Sequence, residues 1–200
     1  MKDIFVEVDW MKEPDGKEYG FSEEAQNKVI KAFGNHEIIL HIDDGCMGGG
    51  GNLDDTYYRY STSYTHRGTY DDYNDFFDYK HNFFDSTNRN GIFHYCLIAH
   101  YKYDIDSGSV QKNKGGTTYL GYTSDFAIWG EGSSDYAKSF QHELGHNLLG
   151  NKHDATHNGG IYLDDKGHHN IKSCIMESSS KGSDYCSRCW SELNLAKSLS

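Results

Sequence analysis

Three scarcities bound this chain. A single proline, Pro14, stands in 200 residues, so no proline-rich linker or polyproline segment is present and proline marks no domain boundary. No apolar run reaches the roughly 18 residues that a transmembrane helix needs, so no membrane insertion is expected. Basic residues are outnumbered, 19 against 30 acidic ones, for a formal net charge of −11. A nucleic-acid partner or a polybasic membrane contact needs the opposite balance. An acidic surface would favour basic substrates, or serve only solubility.

The start, Met1-Lys2-Asp3-Ile4, lacks the apolar core of a signal peptide. A cytoplasmic protein is expected, or a secreted one if a leader or pro-segment precedes this chain. Five cysteines are an odd number, so at least one is free, bound to metal or paired outside the chain.

What is abundant is aromatic. Sixteen tyrosines and ten phenylalanines can bury a large apolar area while keeping polar edges. The length suits one domain over residues 1–200, and a monomer is expected. Ile4 to Trp10 reads as a first strand. Ser22 caps a helix that carries Ala25, Val29, Ile30 and Phe33 and stops near Gly34. Ile38 to Ile42 is a second strand, and this β-α-β order predicts a parallel pair with a crossover helix. Residues 44–90, with four glycines from Gly48 to Gly51, read as largely irregular with a short helix. Gly91 to Tyr103 is the strongest strand, Thr117 to Tyr122 a fourth and Phe126 to Trp129 a fifth. Residues 133–149 form a helix, and a last one runs from Ser187 to about Ser198. The expectation is an α/β (α+β) fold: a twisted, mixed, five-stranded sheet with a backing helix, an active-site helix and a C-terminal helix.

The chemistry is concentrated in Phe140-Gln141-His142-Glu143-Leu144-Gly145-His146. Ala137, Phe140, Leu144 and Leu148 form an apolar stripe at helical spacing, while His142 and His146, four apart, share another face. Two imidazoles one turn apart can both reach one Zn²⁺ at about 2.0–2.1 Å. Glu143 beside them can take a proton from a metal-activated water and pass it to a leaving amine. Two surface histidines on an amphipathic helix are the plain alternative. Against that alternative, Gly150 can end the helix in a left-handed turn and bring His153 to the metal. Three protein ligands plus water make the open geometry of catalytic zinc. Downstream, Cys174-Ile175-Met176 can form a tight turn that packs a thioether below the histidines.

These residues resemble the metzincin clan of zinc metallopeptidases. His142 to Leu148, His153-Asp154 and Cys174-Ile175-Met176 are similar to the adamalysin (reprolysin) version of the motif. The likeness is specific over residues 140–177. It implies a zincin-like fold and a zinc-dependent endopeptidase in which His142, His146 and His153 bind zinc and Glu143 is general base, then general acid. Met176 would support the site from below, and Asp154 would bond near the methionine turn. It also implies an edge strand that pairs with an extended peptide substrate. Gly115 to Tyr122 suits that strand, with Thr118, Tyr119 and Leu120 against the substrate. The clan's motif is H-E-x-x-H-x-x-G-x-x-H, and here the glycine and third histidine each come one residue later. An extra residue rotates the helix exit by about 100°, which predicts a longer helix or a π-type bulge near Leu148-Leu149. Asp154 and His157 are the substitutes if His153 is not delivered. The alternative function is a catalytically silent, zinc-containing domain that only holds peptides. A further rival is a structural zinc protein in which the histidine helix is incidental.

Cys174, Cys186 and Cys189 also resemble three of the four positions that bind a second, structural zinc in archaemetzincins, with Asp154, His168 or His169 open as a fourth ligand. A disulfide from Cys174 to Cys186 or Cys189 is the equal rival. Cys46 and Cys96 are buried thiols or a bridge, with Cys96 placed in the core. Asp43-Asp44 and Asp54-Asp55 offer oxygens of the kind Ca²⁺ takes, but no EF-hand pattern is present and solvated loop acids are the better expectation.

Overall fold

A computed structural model describes residues 2–12, 15–16, 20–53, 57–60, 75–84, 86–104, 107–118, 125–130, 136–149, 168, 171–178 and 182–195. Strand β1 (Lys2–Met11) leads through helix α1 (Glu23–Gly34) to β2 (Ile38–Asp43). The Ser22 hydroxyl caps α1 by accepting the Ala25 N–H at 3.3 Å, as its position before two glutamates predicts. The two strands pair in parallel with Lys2 opposite Ile38, so the β-α-β reading holds.

Short strands β3 (Gly51–Leu53) and β4 (Tyr57–Tyr60) and helices α2 (Asp75–Phe83) and α3 (Ser86–Arg89) follow. The stretch expected to be largely irregular therefore holds four elements. Its aromatic residues conceal them, because their partners lie far away in sequence. The single strand expected over Gly91–Tyr103 is divided into β5 (Phe93–Ala99) and β6 (Tyr101–Asp104), with a bend at His100. Strands β7 (Ser109–Gln111), β8 (Gly115–Thr118) and β9 (Asp125–Trp129) and helices α4 (Ala137–Leu149) and α5 (Ser187–Leu195) complete the order.

Among the described residues the main sheet has six strands rather than five. Its order is β2-β1-β5-β9-β8, with β3 beside the end of β1, and β4-β6-β7 form a second sheet. All pairings in the main sheet are parallel except β8 with β9. The architecture is thus mixed α/β, mostly parallel, with an antiparallel edge.

Alternation along the central strands explains why both faces are covered. Val6, Val8, Cys96, Ile98, Phe126 and Ile128 meet α1, α4 and α5 on one face. Tyr95, Leu97, Ala99, Ala127 and Trp129 meet Phe76 and Phe84 on the other. Cys96 is a core thiol, as expected, Cys46 is exposed rather than buried, and none of the five cysteines forms a disulfide. Among the described residues no helix is long and apolar enough to cross a membrane.

Asp43 is not a solvated loop acid. It is fully buried and accepts from the N–H groups of Gly45, Met47 and Gly49 and from Arg89. Arg89 also donates to Glu7 at 2.7 Å and to the Met47 carbonyl. Burial acts to raise the Asp43 carboxyl, but these donors outweigh it and hold it below its ordinary value. They also occupy the oxygens that a Ca²⁺ ion would need. Asp54 and Asp55 lie outside the described residues.

Candidate metal centre and cleft

Helix α4 is buried on nearly every side. Phe140 and Leu144 are inaccessible, and His142, Glu143 and His146 are between 5% and 8% exposed, so its polar face is turned inward rather than to solvent. A buried imidazole pair requires partners. His142 Nδ1 lies 2.6 Å from the carbonyl oxygen of Ile175. A carbonyl only accepts, so Nδ1 carries the proton and Nε2 keeps its lone pair. Burial, more than any other cause, pushes the His142 pKa down and keeps the ring neutral, as a metal ligand must be.

His142 Nε2 and His146 Nε2 stand 3.2 Å apart. Two nitrogens at about 2.0–2.1 Å from a tetrahedral Zn²⁺ stand about 3.3 Å apart, so the pair fits a shared ion. The third histidine here is His168, whose ring lies 5.3 Å from that of His142 and 5.1 Å from that of His146. Donor atoms of all three fall within 4.8 Å of one another. His168 entered the sequence reading as a ligand for the cysteines, yet it stands with the histidines. His153, Asp154 and His157 lie outside the described residues, as do Gly150, Tyr119 and Leu120.

Glu143 is fixed from the edge strand. Thr118 Oγ1 lies 2.6 Å from Glu143 Oε2 and 3.1 Å from the Glu143 carbonyl. Burial raises the Glu143 carboxyl to about 7, and the Thr118 hydroxyl offsets only part of that rise. Gly116 is a functional position that sequence reasoning missed. A Cβ there would overlap the Glu143 carboxylate, so β8 and α4 can approach this closely only across a glycine.

Residues Cys174 to Glu177 form a tight turn under α4, closed by the Glu177 N–H to the Cys174 carbonyl at 3.1 Å. Met176 is inaccessible, and a Cβ on Gly145 would stand 2.5 Å from its sulfur. The thioether thus packs on the helix backbone between the two histidines. Asp184 joins turn to helix: its carbonyl accepts from Ile175 N at 2.7 Å and its carboxylate from Gln141 Nε2 at 2.8 Å.

The same turn carries a second donor cluster. Cys174 Sγ and Cys186 Sγ lie 3.8 and 3.7 Å from Cys189 Sγ, and all three sulfurs fall within 4.8 Å of one another. Sulfurs at about 2.3 Å from a tetrahedral zinc stand about 3.8 Å apart, whereas a disulfide needs about 2.0 Å. The spacing fits three ligands around one ion and is longer than an S–S bond. Its sulfur neighbours, Cys174 first, hold the Cys189 thiol well above its ordinary pKa, and metal uptake would displace such protons.

A cleft of about 880 Å³ opens onto His142, Glu143 and His168 beside the start of β8. Together the residues form two candidate metal-binding groups, one of histidines facing this cleft and one of cysteines beneath it. No family model matches the sequence, and no curated protein matches it.

Proposed function

We propose that the chain is a zinc-dependent endopeptidase of metzincin type. The observation that carries this reading is the convergence of His142 and His146 at ion-sharing distance, with the Glu143 carboxyl buried beside them against the edge strand. The histidine groups fit Zn²⁺ by donor type and spacing, and when bound it would polarise a scissile carbonyl and activate water.

The chain's own residues do the rest. His142 and His146 offer neutral nitrogens, the former oriented by Ile175. Glu143, with a pKa near 7, is poised to accept a proton from water and return it to the leaving amine at the same carboxylate oxygens. Thr118 holds that carboxylate in place. Among the described residues β8 pairs only with β9, and an extended peptide running antiparallel to β8 would occupy its other edge. Met176 fills the floor. His153 or His168 is the third ligand.

The cysteine cluster is read as a structural zinc site. Its Cys174 and Cys189 are buried away from the cleft that His142 and His168 line.

The test is cleavage of a peptide library by zinc-loaded protein and its Glu143→Ala variant, read by mass spectrometry. Cleavage by the first alone is expected. Peptide binding without cleavage would replace this reading with a silent binding domain.

A further inference from the structure

The charge of the cleft opposes the charge of the chain. Overall, acidic residues outnumber basic ones, 30 to 19. Among the described residues that line the cleft, the balance is reversed: Lys28, Lys31, Lys114 and Lys138 against Glu143 and Asp184. Asp184 is already engaged by Gln141 Nε2 and Tyr185 N–H, and Glu143 by Thr118.

The lysines come from three separate segments, so no single amphipathic face explains them. Lys28 and Lys31 project from α1, Lys114 precedes β8, and Lys138 lies in the first turn of α4. A lysine there sets its charge against the positive end of the helix dipole, a placement that folding alone disfavours. Lys28 does meet Glu24 at 3.2 Å, but as an exposed i,i+4 pair. Such a pair exchanges readily for another carboxylate.

From this we infer that the cleft selects peptides bearing a carboxylate on the C-terminal side of the bond to be cleaved, an inference that rests on the peptidase reading. The side follows from the register. A peptide antiparallel to β8 runs from Thr118 towards Gly115, so the residues beyond Glu143 and Gly116 come to lie by Lys114 and the α1–α4 rim. The carboxylate is that of an acidic side chain or of the peptide's own C-terminus. Substrate preference is then opposite to the one that the net charge suggests.

The test uses the metal-loaded full chain carrying Glu143→Gln, so that binding is read without turnover. The probes are fluorescein-labelled dodecapeptide libraries with a common apolar N-terminal half. Their C-terminal halves are enriched in glutamate, glutamine or lysine, each with free and amidated ends. Anisotropy is expected to rank glutamate above glutamine above lysine, by about fivefold per step at low salt, with the order compressed at high salt. Lys31→Glu with Lys138→Glu should invert the order, and the paired glutamine substitutions should flatten it. Because both lysines are exposed, these variants should keep their thermal midpoint. An advantage confined to free-ended peptides assigns the chain terminus as the carboxylate. One that persists in amidated peptides assigns the side chain. Equal binding of the glutamate and lysine sets, or an order untouched by charge reversal, overturns the inference. Wild-type cleavage of the same libraries is scored separately. Charge-ordered binding without cleavage removes the peptidase reading alone, and cleavage without charge order removes this inference alone.

Discussion

The histidine and cysteine clusters meet at the same turn but differ in their access to the cleft. His142 and His168 line a cleft beside a buried, proton-loving carboxyl. Cys174 and Cys189 are sealed, at 0% and 1% exposure, against Tyr185, Trp190 and Phe33. The open cluster has the form of a place for chemistry, the closed one that of a staple. The contrast teaches that donor type alone does not distinguish the two roles. Access and the neighbouring ionisable group do.

The largest expected effect attacks the staple. Cys186→Ser with Cys189→Ser should lower metal content from two ions to one by elemental analysis. It should also cost several kcal/mol of stability, a fall of about 10 °C or more in Tm. An unchanged Tm would erase the distinction between the clusters.

Next comes strain in the open site. In the metal-free protein the Glu143 pKa is raised from 4.5 to about 7. As pH rises, the unfolded chain releases this proton first, so stability is lost from about pH 4.5 to 7 and stays lost above. Glu143→Gln cannot ionise. In urea denaturation it should match the wild type near pH 4 and exceed it by about 3 kcal/mol at pH 8, while abolishing cleavage.

Smaller effects refine the geometry. Gly116→Ala pushes a methyl group into the Glu143 carboxylate and should lower kcat about tenfold, with little change in metal content. Thr118→Val removes the one hydrogen bond that lowers the Glu143 pKa. The acid limb of the pH–rate profile should therefore move to higher pH, by about one unit or less. No movement would detach Glu143 from that limb.

Much of this was legible where neighbours in sequence are neighbours in space. The α4 periodicity placed His142, Glu143 and His146 on one face, the cap at Ser22 started α1, and the spacing of Cys186 and Cys189 marked a donor pair. Contacts across sequence were not legible. Nothing near His168 distinguishes it from His169, and its place beside His146 depends on the path of the chain between them. Gly116 looks like any strand glycine until α4 lies under it. The buried Glu7–Arg89–Asp43 group, which pins the loop after β2, draws on three distant segments. Net charge hides such detail for a related reason: it averages over the whole chain, while Lys28, Lys31, Lys114 and Lys138 gather along one cleft.

Cys174, Ile175 and Met176 each answer to a different master: a sulfur cluster, the proton on His142, and the backbone at Gly145. A point substitution can spare two of the three, but a one-residue insertion or deletion shifts all of them at once. This tripeptide therefore has no neutral reading frame. The turn beneath α4 has to keep its length.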